Sequence, residues 1–181
     1  MLTLAQWSVK DYHRMTEAGI LRDRRVELLT GQIVEMSPET PLHYNTTKRG
    51  VRYLEELLRD LAEVRFNGPI TLATSEPEPD IAIVRLPESQ YNDRHPNARD
   101  IFWLIEVANT SQKKDLEVKK AIYATAQIPE YWVLDVQKRT ITVFQNPQDN
   151  DYTDEWEANR GEIISLAFPD VRVSVERLLQ G

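Results

Sequence analysis

The chain has 181 residues, 41% apolar and 28% charged, with a formal net charge of −7, which suits a single domain over residues 1–181 with an ordinary core. The acidic balance weighs against a strong non-specific nucleic-acid binder, though not against an enzyme with its basic residues gathered at one cleft. With no cysteine, disulfides, Cys-ligated zinc and thiol catalysis are excluded, and without a signal-like or membrane-length apolar segment the expectation is a soluble, cytoplasmic protein.

In chain order, "SVKDYHRMTEAG" (8–19) starts on a capping serine and ends on glycine, as a helix does. "RVELLTGQIVEMS" (25–37) alternates around Thr30-Gly31, a hairpin signal. After Pro41, Val51, Leu54, Leu58 and Leu61 fall at helical spacing on a long amphipathic helix. Strands are expected at 64–73, 80–84 and 101–108, with the turn-rich segment 86–100 as a loop. A helix over 113–127, a strand pair at 130–136 and 140–144, further strand within 154–168 and a closing helix from Val173 complete the pattern. This order predicts an α/β fold with a mixed sheet, the apolar run 101–105 being a central strand covered on both faces. No dinucleotide or nucleoside-triphosphate motif is present. The sequons at Asn45 and Asn109 are read as chance matches, since no secretion is expected.

Three ionisable residues occupy positions where apolar ones are expected. Glu106 ends the central strand, on the face of Phe102 and Leu104 by the two-residue period. Asp80 opens "DIAIV", approached in extended conformation through the prolines of "PEPD". On the helix 113–127, Asp115, Leu116, Ile122, Tyr123 and Ala126 lie within about 60° of Lys119, which is central to the apolar stripe. Glu117, Lys120 and Ala124 fall opposite. A lysine aimed at a sheet needs an anionic partner, and carboxylates on the strands beneath supply one.

Two carboxylates at neighbouring strand ends with an adjacent lysine are what metal-assisted phosphodiester hydrolysis requires. Mg²⁺ takes one or two carboxylates plus water and phosphate, and a lysine can orient water or stabilise developing charge. The plainer readings are a solvent-facing acid, an i,i+4 pair between Asp115 and Lys119 contributing about 0.3–0.5 kcal/mol, or a structural salt bridge in the sheet–helix interface. Glu27 and Glu35 flank the hairpin turn, and His43 opens the long helix, suited to proton transfer, substrate contact or capping. His13 and His95 show no metal-ligand spacing with it.

"PEPDIAIVR", then "LIEVANTS" with the later "D...K...YA..QIPEYWVLDV", together with "VELLTGQIVEMSP....H", resembles the Uma-type family of restriction endonucleases, within the PD-(D/E)xK nuclease superfamily. The resemblance covers roughly residues 25–145. It implies a restriction-endonuclease-like fold, a mixed central sheet flanked by helices, and Mg²⁺- or Mn²⁺-dependent cleavage of nucleic acid, DNA first, by a homodimer. It assigns Asp80 and Glu106 as catalytic metal ligands, the Val107 carbonyl as a third ligand, and Lys119 as the catalytic lysine. The superfamily's usual lysine position, two residues after the second acid, holds Ala108 here; the family resembled places its lysine later, on the following helix. Asp115 matches the aspartate four residues before that lysine, and Glu27 and His43 match the opening motif. The competing expectations are a catalytically silent nuclease-fold regulatory module, and a homodimeric interaction protein using an apolar edge near "EYWVLDV".

Overall fold

A computed structural model describes residues 4–108 and 113–180, and the side chains of all of these except 113–115. The expectations on Asn109 and on the Asp115 side chain therefore fall outside the described residues.

Ser8 caps α1 (Val9–Glu17): its hydroxyl accepts the Asp11 N–H while Asp11 reaches back to the Ser8 N–H, a reciprocal capping box. The strands β1 (Val26–Leu29) and β2 (Gln32–Glu35) form the expected hairpin. Thr30 and Gly31 both take positive φ, 47° and 77°, as a two-residue primed turn demands. Helix α2 (Pro41–Leu57) begins on a Thr40 cap with proline in its first turn.

The strands β3 (Glu63–Phe66), β4 (Ile81–Val84), β5 (Ile101–Ala108), β6 (Glu130–Asp135), β7 (Thr140–Gln148) and β8 (Asp151–Ala158) form one sheet in that spatial order. Only β5 and β6 run parallel, joined through α3 (Lys113–Thr125), because a parallel pair needs a crossover. The short pair β9 (Glu162–Ile164) and β10 (Arg172–Ser174) leads into α4 (Val175–Leu179).

The mixed sheet is as expected, and it separates two cores. On one face α2 and α4 bring Leu54, Leu58 and Leu178 onto Trp103 and Trp132, each buried aliphatic contributing about 1.5–3 kcal/mol. Gly50 lets α2 lie close to the sheet, since a Cβ there would sit 3.3 Å from Ile81 Cδ1. On the other face α3 packs Ile122 and Tyr123 against Leu104 and Tyr131, with Leu29 of the hairpin alongside.

Several local expectations are corrected. The strand expected over 64–73 stops at Phe66, because Asn67 turns to φ 44°. Phe102 does not share a face with Glu106: the β4–β5 register shifts between Ile83 and Val84, leaving Phe102 in a bulge, where it packs edge-on against Phe168 at 4.9 Å. Ala124 is fully buried, not outward-facing, in the cluster that holds Phe144 of β7 and Tyr152 of β8, strands that close over the end of α3. "EYWVLDV" is no edge, since β6 lies between β5 and β7; the edges are β3 and β8. Part of the expected closing helix is strand β10, which leaves α4 only five residues.

Candidate active site

The site lies where the hairpin, the start of β4, the end of β5 and the middle of α3 meet. Leu28 and Glu76 exchange backbone hydrogen bonds of 3.3 and 2.7 Å, so the segment Glu76–Asp80 is drawn between hairpin and sheet. Pro77 and Pro79 hold the residues before them extended. Glu27 on β1 is thereby placed to accept the Glu78 N–H at 3.1 Å.

Asp80 stands just before β4. The Ile81–Ile105 pairing, extended by two residues, would set Val107 opposite Pro79, which has no N–H for the Val107 carbonyl. The Val107 N–H donates to Asp80 Oδ2 at 2.6 Å, and the same oxygen lies 3.1 Å from His43 Nε2. His43 is in the first turn of α2, where the Thr40 hydroxyl that caps the helix accepts its backbone N–H at 3.3 Å. Burial opposes charging of His43, but the hydrogen bond and charge of Asp80, with Glu39 and Glu106 behind it, raise its pKa above the ordinary value.

Glu106, 5% exposed, sits beneath α3. Its Oε1 accepts from Lys119 Nζ at 3.0 Å and from the Tyr123 hydroxyl at 2.8 Å. Lys119 also reaches Glu27 Oε2 at 3.3 Å and the Glu78 carbonyl at 3.4 Å. One ammonium thus faces two buried carboxylates, with a third, Asp80, nearby. Burial raises the Glu106 pKa, Lys119 pulls it down, and the charges of Asp80 and Glu27 push it up again, to about 7. Burial alone would lower the Lys119 pKa, yet the surrounding carboxylates outweigh this and hold it above its ordinary value. Lys119 therefore stays charged, and the site carries more negative charge than it can neutralise.

A cleft of about 90 Å³ opens onto these groups, lined by Glu27, Glu39, His43, Asp80, Glu106 and Lys119 among others. Glu39, His43 and Asp80 each place a donor atom within 4.8 Å of the other two. Asp80 Oδ1 and Glu106 Oε2 have no hydrogen-bond partner among the described residues. Oxygen-rich and anionic, this donor set fits a hard divalent cation.

A family model described as "Putative restriction endonuclease", Uma2, matches residues 9–176. The chain belongs to the Uma2 family. Among solved structures, a crystal structure of a putative nuclease from Anabaena variabilis is similar at 15% identity and a TM-score of 0.68. The match covers 85% of this chain and 89% of that one. At that identity the likeness establishes the fold, which is nuclease-like. No functionally curated protein matches the chain.

In this Uma2 chain, Asp80, Glu106, Lys119, Glu27 and His43 all line the one cleft, and Val107 joins them through its N–H. Glu35, the other acid beside the hairpin turn, is exposed at the rim and pairs with Arg24 at 3.4 Å. Two contributors escaped the sequence reading. Tyr123 lies one helical turn beyond Lys119 on the inward stripe, so the signal was a polar tip on an apolar-facing ring. Glu39 comes from the irregular segment before α2, and Asn67 Nδ2 and Arg25 hold its Oε1; no periodicity marks it. His13, set aside in the sequence, pairs with Glu76 at 2.6 Å.

Proposed function

We propose that the protein is a divalent-metal-dependent endonuclease hydrolysing phosphodiester bonds in nucleic acid, DNA first. The observation that carries this reading is the convergence of three buried carboxylates, Glu27, Asp80 and Glu106, on one charged lysine at an open cleft. Such an arrangement is costly to bury without further positive charge.

Asp80 and Glu106 hold a Mg²⁺ or Mn²⁺ ion. The Val107 carbonyl adds to them, since in a strand the N–H and C=O of one residue leave toward the same side and this N–H meets Asp80. When bound, the ion polarises the phosphate and acidifies water. His43 and the Val107 N–H fix Asp80 Oδ2, leaving its other oxygen to face the cleft. Tyr123 and Lys119 fix Glu106 in the same way through Oε1. Lys119, held charged, stabilises negative charge developing on the scissile phosphate and orients the attacking water. Glu27 holds Lys119 through their 3.3 Å ion pair.

Incubation of plasmid, single-stranded DNA and RNA with saturating Mn²⁺ or Mg²⁺ tests this. Cleavage by the wild type is expected, abolished by EDTA and reduced by 10²-fold or more, on the order of what a lost metal or oxyanion contact costs, in Asp80→Asn and Glu106→Gln. Failure to cleave any of the three would overturn the reading and favour a silent regulatory module in which Glu106 is the structural partner of Lys119.

A further inference from the structure

A second and larger cavity, of about 680 Å³, adjoins the cleft, and Glu78 lines both. The Glu78 backbone already belongs to the site, with its N–H on Glu27 and its carbonyl on Lys119. Residues of α1 and of the turn segment 91–97 wall the cavity. Thr71 ties that segment down, its N–H donating to the Pro96 carbonyl at 2.8 Å. The size is that of a small-molecule site.

Glu76, 5% exposed, is the most buried charged group lining it. Its Oε2 accepts from the Thr71 hydroxyl at 2.7 Å and from His13 Nε2 at 2.6 Å. With its Nε2 proton committed to Glu76, His13 has Nδ1 left as an acceptor. The hydroxyl donors around the cavity are spent. Tyr12 donates to the Val26 carbonyl, Thr16 to the Tyr12 carbonyl, Thr71 to Glu76 and Tyr91 to the Arg85 carbonyl. The arginine lining it, Arg94, is held by Asp100. The cavity is thus rich in acceptors. Burial raises the Glu78 pKa, Arg25 and Lys119 oppose this, and Glu27 and Glu76 add to it, so a hydrogen-bond donor beside that carboxylate is stabilising. His95, kept neutral by burial, offers one donor and one acceptor.

An acid-lined cavity whose arginine is already paired repels phosphate. It suits a flat group rich in N–H donors, set among Tyr12, Pro69 and Tyr91. We propose that this cavity receives the base of the nucleotide next to the scissile phosphate, and selects a base with an exocyclic amino group (adenine, cytosine or guanine) over thymine and uracil. The inference rests on the nuclease reading. A base hangs one sugar away from its phosphate, and the single residue Glu78 separates the cavity from the lysine assigned to that phosphate. Carboxylate and imidazole acceptors read amino groups on the edge of an unstacked base. Thymine and uracil present one N–H between two carbonyls, which these acceptors repel.

The chain has three histidines, so their imidazole signals can be followed one by one in proton NMR of the metal-free protein. Adenosine, cytidine and guanosine, to millimolar concentration, should shift the His13 and His95 signals and leave His43 in place. Thymidine and uridine should bind roughly tenfold or more weakly, the discrimination that a good base-edge contact gives. Cleavage of a sequence-randomised single-stranded pool in Mn²⁺ should show amino-bearing bases enriched at one position beside the cut. His13→Ala and His95→Ala, each still cleaving, should lose that enrichment. Cleavage with no base preference, or with a preference that survives both substitutions, would overturn the pocket alone. So would spermidine shifting both signals while no nucleoside does, in favour of a cation site. A wild type that cleaves nothing would remove the nuclease reading and the proposal with it, whatever the nucleosides do.

Discussion

Replacing Glu106 by Gln should flatten the pH dependence of stability in metal-free protein. In the folded chain, burial and the neighbouring carboxylates lift the Glu106 pKa from 4.5 to about 7. The folded state therefore keeps this proton over an interval in which the unfolded chain has lost it. The stability linked to the group is complete below pH 4.5 and is lost as pH rises through about 7. At 1.36 kcal/mol per pKa unit the interval corresponds to about 3 kcal/mol, or a shift in Tm of about 6–12 °C for a chain of this size. Urea denaturation at pH 5, 6, 7 and 8 in EDTA, on wild type and Glu106→Gln, isolates the effect, because Glu63, Glu78 and Glu130, whose pKa values are also raised, titrate in both. The wild type should lose stability relative to the variant as pH rises from 5 to 8. Parallel profiles would mean that Lys119 fully neutralises Glu106 and that no surplus negative charge exists.

Lys119→Met removes the ammonium that Glu27 and Glu106 share, leaving two buried carboxylates uncompensated. Thermal and urea denaturation at pH 8 should show a loss of about 3–5 kcal/mol, partly recovered in the Lys119→Met, Glu106→Gln double variant. Tyr123→Phe deletes one hydrogen bond to Glu106 from a fully buried position. A loss of about 1–3 kcal/mol is expected, together with a lower kcat at little changed KM. Leu54→Ala, in the core beneath α2 and outside the cleft, should cost about 2–5 kcal/mol while the folded variant keeps wild-type cation affinity by calorimetry.

What the sequence revealed was carried by local rules. A primed turn needs two positive-φ residues, and Thr30-Gly31 announced it; Thr40-Pro41 announced the start of α2. Acids and a lysine at otherwise apolar positions announced Asp80, Glu106 and Lys119, because burial of charge needs a reason. What stayed hidden depends on residues far apart in the chain. The bulge that turns Phe102 away exists only through the β4–β5 register, and the burial of Ala124 only because β7 and β8 close over α3. Glu39 reaches the site through an irregular segment held by Asn67 and Arg25. The Tyr123 hydroxyl was in the right stripe, but its partner could be named only once β5 lay beneath it.

On the proposed mechanism Asp80 and Glu106 together hold one divalent cation. Calorimetric titration of Mn²⁺, to millimolar concentration, into wild type, Asp80→Asn and Glu106→Gln at pH 7.5 tests it most directly. Binding by the wild type with release of protons, lost in both variants, is the predicted result. No binding by the wild type, or binding that survives both substitutions, would contradict it.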